Sequence, residues 1–357
     1  MSRVLIAMSG GVDSSAAALL MQQRGYECVG CTMKLYDNED AGIERLHTCC
    51  SLDDVEDARS VAFALGMRYY VFNFGEEFRE KVIDNFTSEY LHGRTPNPCI
   101  ACNRYLKFGK LFERAKQLDC THVVTGHYAR IEEQNGKYVL KKALDETKDQ
   151  SYVLYAMTQD ELAHTLFPLG EYRKSEIRRL TEAHHFINAN KPDSQDICFV
   201  PDGDYVKAID RFCGKTDTAG NFVSLDGEKI AEHEAYIKYT VGQRRGLGVP
   251  AGQRLYVCRI RPDTHEVVLG RNEDLFSYRA ELKDVHWISG LIPTGAVECK
   301  VKIRYRHTEQ PAQITMLDDR RAVLEFQEPQ RAITPGQAAV FYMDDVVLGG
   351  GIIEKSM

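Results

Sequence analysis

The sequence predicts an α/β protein with an N-terminal doubly wound parallel sheet, a small central domain and a C-terminal antiparallel β-barrel. Over about the first two hundred residues, apolar runs of strand length alternate with segments of helical periodicity. Beyond them, glycines and turn residues become frequent, and residues 297–303 alternate apolar and polar side chains as short barrel strands do. We therefore expect domains at residues 1–200, 201–275 and 276–357.

The N-terminal elements follow in the order strand, helix, strand. Apolar residues 4–8 predict the first strand, and residues 13–25 predict a helix that ends at a glycine. Three more strands and two more helices are predicted, the strands at 26–33, 68–74 and 121–125 and the helices at 52–65 and 106–118. Strands separated by such helices pair in parallel, and this predicts the doubly wound sheet.

Composition limits the classes of function. The 357 residues are 43% hydrophobic and 27% charged, as in folded proteins with more than one core. The chain lacks an uncharged apolar run of about 18 residues, and its N-terminal apolar run is too short for a signal peptide. We therefore expect no membrane contact and a cytoplasmic location. The formal charge of −7 argues mildly against nucleic-acid binding.

Residues 9–15, Ser-Gly-Gly-Val-Asp-Ser-Ser, form the first distinctive motif. They follow the first predicted strand and open the first helix, so backbone N–H groups and serine hydroxyls can hold a pyrophosphate. The glycines let the backbone approach an anion closely, and Asp13 could help to place Mg²⁺ on it. The G-x-x-x-x-G-K-[ST] pattern of kinases and GTPases is missing from the sequence.

This motif resembles the loop of the PP-loop ATP pyrophosphatases, whose fold is adenine-nucleotide α-hydrolase-like. Those enzymes cleave ATP between its α and β phosphates, adenylate a carbonyl oxygen and release pyrophosphate. Met33 ends one predicted strand and Gly126 follows another, and both would line the same ATP pocket, because carboxyl ends of parallel strands share one edge. The loop leaves the substrate open, and an amide-forming synthetase on a small metabolite uses the same chemistry.

Two of the eleven cysteines stand out. Cys102 lies near the predicted start of a helix that carries Arg104, Lys107 and Lys110, and both the helix end and the basic neighbours would lower the pKa of its thiol. Cys198 lies in a polar loop. An ATP-activating loop combined with two such thiols predicts sulfur transfer, because an adenylated carbonyl is open to attack by a sulfur nucleophile.

Segments along nearly the whole chain resemble the bacterial tRNA-specific 2-thiouridylases, which install 2-thiouridine at the wobble uridine, U34. The matching segments are 9–15, 126–130, 148–152, 167–170, 191–198, 239–248, 304–306 and 348–352. The resemblance implies a tRNA sulfurtransferase that uses ATP and Mg²⁺. Its partners would be the anticodon stem-loop of tRNA and a cysteine desulfurase or sulfur-relay protein, and we expect a monomer.

The same resemblance implies residue roles. Cys102 would be the nucleophile, and Cys198 would carry the sulfur as a persulfide and form a disulfide with Cys102. The residues that would bind ATP are Ala7, Met8, Ser9, Gly10, Gly11, Val12, Asp13, Ser14, Met33 and Gly126. Those that would contact tRNA are His127, Lys148, Asp149, Gln150, Arg304, Tyr305 and Gln337.

Cys99 departs from the best-described form of this family, in which an aspartate precedes the nucleophile by three residues. Cys99, Cys102 and Cys198 would suit a [4Fe-4S] cluster with one open iron, and Cys99 and Cys102 also fit a thioredoxin-like pair. We favour a persulfide relay with an extra thiol as the catalytic hypothesis. Cys49 and Cys50 receive no role.

Basic segments answer the objection raised by the net charge. Residues 104–116 carry five basic residues and one acid, and Arg304-Tyr305-Arg306 suits phosphate contact with base stacking. The basic run 173–179 fits a solvated helix face equally well. We expect tRNA affinity to fall steeply with salt. A non-catalytic metal- or RNA-binding protein is the remaining alternative.

Overall fold

The computed structural model describes residues 2–36, 52–193, 197–200, 203–249 and 253–357. Cys49 and Cys50 lie outside these residues, and so do residues 194–196 of the segment 191–198.

Helices flank the N-terminal sheet and continue into the central region. The α-helices are α1 (Val12–Gln23), α2 (Leu52–Ala64), α3 (Gly75–Phe78), α4 (Asp84–Leu91), α5 (Pro98–Ala101), α6 (Leu111–Gln117), α7 (Gln159–Ala163), α8 (Lys174–Ala183) and α9 (Tyr205–Cys213). Two π-helical segments, Arg79–Ile83 and Cys102–Lys110, join α3 to α4 and α5 to α6. Short 3₁₀ segments lie at Ser151–Leu154, Tyr236–Lys238, Pro262–Thr264 and Glu273–Leu275. Of the helices in the described ranges, none is long and apolar enough to cross a membrane.

The strands form three sheets. In chain order they are β1 (Arg3–Ala7), β2 (Glu27–Lys34), β3 (Arg68–Asn73), β4 (His122–Val124), β5 (Ala129–Gln134), β6 (Lys137–Lys142), β7 (Thr165–Leu166), β8 (Gly220–Val223), β9 (Lys229–His233), β10 (Tyr256–Arg261), β11 (Glu266–Gly270), β12 (Phe276–Trp287), β13 (Ala296–Lys302), β14 (Gln310–Met316), β15 (Ala322–Arg331), β16 (Ala338–Met343) and β17 (Val346–Ser356).

The first sheet confirms the predicted doubly wound architecture. Its order is β3-β2-β1-β4-β7, and every pairing is parallel. The two faces of the sheet are covered separately: Cys28 of β2 packs in one apolar cluster, whereas Cys31 packs in the other. Their placement on opposite faces follows from the period of two in a strand. Burial raises the pKa of the Cys28 thiol to about 11, so it is an unreactive core residue.

The rest of the chain forms a four-stranded sheet, β10-β11-β8-β9, and an antiparallel barrel. The barrel order is β12-β15-β14-β13-β16-β17, and pairing of β12 with β17 closes it. The hairpin β5–β6 extends this sheet, because Leu140 and Lys141 pair with Val347 and Val346 of β17. Residues 129–142 belong to the predicted N-terminal range, yet they pair with the barrel. The partner strand lies some two hundred residues later, beyond the reach of local sequence patterns.

Candidate active site

The turn from β1 to α1 is built for close approach of an anion. Gly10 has φ +71°, and a Cβ there would lie 2.3 Å from the carbonyl oxygen of Asp54. Gly11 is the N-cap of α1 and has no side chain to accept hydrogen bonds from the first N–H groups of the helix. The side chains of Ser14 and Ser15 instead donate to the carbonyl of Gly11, at 3.0 and 3.1 Å. The first turn of the helix therefore presents N–H groups in the geometry that suits a phosphate.

The other residues predicted to bind ATP lie around this turn. Met8 is tied to β2, because its N–H donates to Cys31 and its carbonyl accepts from the Thr32 hydroxyl at 2.6 Å. A Cβ on Gly126 would lie 2.9 Å from backbone atoms of Asp13 and Ser14, so the turn after β4 abuts the loop. Met33 is half-buried near the carboxyl end of β2. The structure thus brings these segments to one edge of the sheet.

Asp13 is engaged by residues that the sequence analysis missed. Both of its carboxylate oxygens accept hydrogen bonds from Lys174, at 2.7 and 2.8 Å, and one also accepts from the Tyr128 hydroxyl at 2.9 Å. The side chain of Lys174 is only 10% exposed. Lys174 belongs to the basic run 173–179, so the expectation of a solvated face fails at this position. The start of α8 turns Lys174 inward, where Asp13 compensates for its desolvation.

Asp193 joins the segment that leads to Cys198 to the same cluster. Its carboxylate pairs with Lys148 at 2.9 Å, Lys174 at 2.9 Å and Arg178 at 2.8 Å. Burial alone would raise the pKa of Asp193, but hydrogen bonds from Lys148 and Lys174 lower it to about 2. Asp193 is therefore ionised at neutral pH. Lys174 bridges this carboxylate to that of Asp13.

Two further side chains fix the segment before Cys198 to the phosphate loop. The amide of Asn188 donates to the carbonyl of Gly10 at 2.8 Å and to the hydroxyl of Ser15 at 2.9 Å. Lys191 pairs with Asp54 at 2.6 Å and Asp57 at 2.7 Å on α2. Burial alone would lower the pKa of Lys191, but these hydrogen bonds raise it. No short sequence pattern links positions so far apart, so these contacts could not be predicted from local motifs.

The Cys102 segment begins with a capped turn. The Asn97 side chain accepts a hydrogen bond from the N–H of Cys99 at 3.1 Å, and the π-helical segment starts at Cys102. Such segments occur frequently at functional sites. Cys99 is exposed, whereas Cys102 and Cys198 are half-buried and pack against the same apolar core. The Cys198 carbonyl accepts from the Tyr36 hydroxyl at 2.7 Å.

The three cysteines do not form a metal site in this structure. Across the described ranges, no group of three or more His, Cys, Asp or Glu side chains is arranged to hold a metal ion. A cluster of several irons needs its cysteine ligands farther apart than a single ion does, so the alternative of an iron–sulfur cluster on Cys99, Cys102 and Cys198 stays a prediction.

The residues predicted to contact tRNA lie mostly where the N-terminal sheet meets the barrel. The Tyr305 hydroxyl donates to the Asp149 carbonyl at 3.1 Å, and the tyrosine is 41% exposed. The side chains of Gln337 and Arg304 bond to backbone carbonyls of Thr95 and Ala332. Two more of the predicted tRNA contacts are hydrogen-bonded within the N-terminal region. The Asp149 carboxylate accepts from the Ser151 hydroxyl, and the Gln150 side chain accepts from the N–H of Tyr128. Their contacts with tRNA remain predictions.

His127 differs from that group because it lies in the interior. It is 7% exposed, its Nδ1 is 2.7 Å from the Thr125 hydroxyl, and its ring packs against Phe108 and Phe167. Burial, and to a smaller extent the charge of Lys107, holds its pKa well below the usual range. The imidazole is therefore neutral. This environment favours a packing role in the RNA-free protein.

Known proteins and family models match nearly the whole length of the chain. Residues 2–202 match the family model described as the tRNA methyl transferase HUP domain, residues 207–271 the tRNA methyl transferase PRC-barrel domain, and residues 278–353 the aminomethyltransferase beta-barrel domain. The chain is 47% identical to tRNA-specific 2-thiouridylase MnmA of Clostridioides difficile, with 99% of each chain covered. It is 48% identical to the protein of that name from Carboxydothermus hydrogenoformans, with 99% of this chain and 98% of the relative covered.

Proposed function

The chain belongs to the tRNA-specific 2-thiouridylases, and from this membership we propose that it converts the wobble uridine U34 of tRNA into 2-thiouridine with consumption of ATP. The observation that carries the proposal is the direct attachment of the Cys198 segment to the phosphate loop. Asn188 bonds to Gly10, and Lys174 bridges Asp193 to Asp13. A nucleotide in this loop would therefore lie beside the sulfur-carrying segment.

The first step is adenylation. The uracil O2 attacks the α-phosphorus of ATP, the bond to the β-phosphate breaks, and pyrophosphate leaves. The N–H groups at the start of α1 would hold the leaving phosphates, and the cations Lys148, Lys174 and Arg178 would offset their charge. Mg²⁺ would supply further charge neutralisation on the phosphates. Asp13 is the carboxylate of the loop, but its pairing with Lys174 does not fit a metal ligand in this conformation.

The second step is sulfur transfer. A cysteine desulfurase or sulfur-relay protein would load Cys198 as a persulfide. The terminal sulfur attacks C2 of the adenylated uracil, and AMP leaves with the former O2. The Cys102 thiolate attacks the Cys198 sulfur, so the persulfide bond breaks as a Cys102–Cys198 disulfide forms. A thiol reductant then restores both cysteines. Cys102 and Cys198 both border the same large apolar cluster, so neither lies in a core separate from the other.

Cys99 is proposed as an accessory thiol of the relay. It is exposed one helical turn before Cys102, which supports a role in accepting sulfur from a delivery protein. It also supports thiol–disulfide exchange, in which the Cys99 thiolate attacks the Cys102 sulfur and releases the Cys198 thiolate, before the external thiol reductant reduces the resulting Cys99–Cys102 disulfide. The roles of the seven predicted tRNA contacts remain part of the proposal. Among them Tyr305, exposed beside Asp149, has the geometry best suited to stacking on a base.

The test is mass spectrometry of nucleosides from unmodified tRNA incubated with the protein, ATP and a sulfide or persulfide source. We expect 2-thiouridine at position 34, with AMP and pyrophosphate formed in equal amounts. Omission of ATP should abolish the product. A methylated nucleoside instead would contradict thiolation, and ATP consumption stimulated by a small amine substrate but not by tRNA would support the amide-forming alternative.

A further inference from the structure

The chain in front of Cys99 and Cys102 is held by all three parts of the molecule. Leu91, at the end of α4, accepts a hydrogen bond from the hydroxyl of Tyr236 in the central region, at 2.7 Å. Gly93 has φ +68°, and a Cβ there would lie 3.0 Å from a side-chain carbon of Ile260. The central region therefore contacts the chain before the cysteines are reached, and a side chain at Gly93 would require Ile260 to shift.

Thr95 is the point at which these contacts converge. Its N–H donates to the carbonyl of Pro335 at 2.9 Å, and its carbonyl accepts from the side-chain amide of Gln337 at 2.8 Å. Its hydroxyl lies 3.3 Å from that of Thr240 in the central region. The barrel thus satisfies both backbone polar groups of Thr95, in the manner of one added residue of strand pairing.

The barrel side of this contact is itself rigid. Gly336 has φ +90°, and a Cβ there would lie 2.8 Å from the nitrogen of Thr95. Its N–H donates to Ile353 of β17 at 2.8 Å, and Ile353 in turn donates to the carbonyl of Gln337 at 2.8 Å. The turn that holds Thr95 is therefore anchored on the strand that closes the barrel.

The residues beside the cysteines are also packed against both the barrel and the central region. Ile100 is buried in the cluster that contains Ala338 and Val340 of β16. The next residue, Ala101, is buried in a different cluster, which includes Tyr236. Successive residues of α5 are thus packed against the barrel on one side and against a core shared with the central region on the other.

We infer that Gln337 is a positioning residue: together with the Pro335–Gly336 turn it holds Thr95 and thereby fixes where Cys99 and Cys102 stand. One N–H of the Gln337 side-chain amide is already used within the protein, in the absence of RNA. This role rests on the proposed function only for its effect on turnover, since the position of a thiol can be measured without substrates.

The test is the rate at which Cys102 reacts with iodoacetamide in protein without RNA or nucleotide, read by peptide mass spectrometry across the pH range in which the thiol ionises. Gln337→Leu removes the donor and keeps the bulk, and the matched control is Gln313→Leu on β14, whose amide donates to the exposed Glu298. Iodoacetamide reaches half-buried Cys102 when the surrounding chain opens, and loss of one neutral hydrogen bond shifts such an opening equilibrium about two- to ten-fold. We expect the high-pH plateau rate of half-buried Cys102 to rise by that factor in Gln337→Leu alone.

Gly336→Ala provides a second, stronger perturbation. Its control is Gly295→Ala, because Gly295 has a similar φ of +93° and open space around it. We expect faster alkylation of Cys102 in Gly336→Ala than in Gly295→Ala. Should Gly336→Ala fail to fold, Gln337→Leu carries the test. Unchanged Cys102 reactivity in folded Gln337→Leu would overturn the inference, whether or not the protein thiolates tRNA.

The kinetic constants of thiolation distinguish a positioning role of Gln337 from a role in RNA contact alone. If Gln337 positions the cysteines, Gln337→Leu lowers kcat for thiolation, whether or not loss of its proposed RNA contact also raises the KM for tRNA. A raised KM with unchanged kcat would contradict the inference and assign Gln337 to the RNA-binding surface. Absence of thiolation in the parent protein would refute the proposed function while leaving the thiol measurement intact.

Discussion

The phosphate loop and the cysteine-bearing helix are held in different ways. The loop is fixed by its own serines and by residues of the N-terminal region, such as Asp54, Asn188 and Gly126. The helix that carries Cys99 and Cys102 is fixed by the barrel and the central region as well. The phosphate loop is thus held within the N-terminal region, whereas the helix that carries Cys99 and Cys102 is also held by the barrel and the central region.

The largest expected effect on activity comes from replacing a reacting thiol on either side of this comparison. We expect Cys102→Ser and Cys198→Ser to abolish formation of 2-thiouridine, since a hydroxyl neither carries nor releases sulfur. Binding of ATP and tRNA should persist, as measured by equilibrium titration. Cys213→Ser, at an exposed cysteine that ends α9, is the control and should keep full activity. Product formation by either active-site variant would refute its assigned role.

A glycine in the loop gives the next largest effect. Gly10→Ala would place a Cβ 2.3 Å from the Asp54 carbonyl at φ +71°, so the backbone must move. We expect tRNA-dependent pyrophosphate release to fall by more than about ten-fold, because the N–H groups at the start of α1 would no longer point at the phosphates. Gly25→Ala is the matched control: φ is +84°, but nothing lies within 4 Å. It should lower stability by about 1 kcal/mol and leave pyrophosphate release intact. Equal effects of the two variants would contradict the loop assignment.

The link between the phosphate loop and the segment that leads to Cys198 has a pH signature. Asp193 has its pKa lowered from 3.8 to about 2 in the folded protein, so its ion pairs stabilise the fold above about pH 4 and are lost as pH falls toward about 2. We expect Asp193→Asn to lower the free energy of unfolding by about 2 kcal/mol at neutral pH, with the difference vanishing in acid. Urea titrations across this pH range measure it. Asp226→Asn, in an exposed turn, should show no such difference, and a constant deficit in Asp193→Asn would contradict the ion-pair account.

The smallest effects are expected at the exposed surface where Tyr305 of the barrel region meets Asp149. Tyr305→Ala should weaken tRNA binding by about 1–3 kcal/mol if the ring stacks on a base, whereas Tyr305→Phe keeps the ring and should stay near parental affinity. Tyr278→Ala, at a tyrosine 52% exposed on β12, is the control for loss of an aromatic ring. Filter binding at several salt concentrations reports both affinity and its salt dependence. Equal affinities for Tyr305→Ala and the parent would remove Tyr305 from the RNA surface.

Local patterns predicted the elements that local forces determine. Four of the five strands of the parallel sheet, β1 to β4, and the turn at 9–15 follow from hydrophobic periodicity and glycines, which act over a few residues. The inward turn of Lys174 and the burial of His127 depend on partners far along the chain, Asp13 for the first and Phe167 for the second. The attachment of β5–β6 to β17 was missed for the same reason.

The central claim is that sulfur passes from Cys198 to the activated uridine while Cys102 takes its place on Cys198. The direct test is a single turnover of persulfide-loaded protein with ATP and tRNA in the absence of reductant. Peptide mass spectrometry would count Cys102–Cys198 disulfides, and nucleoside analysis would count 2-thiouridines. We predict one disulfide for each 2-thiouridine; 2-thiouridine formed while both thiols remain reduced would contradict the account.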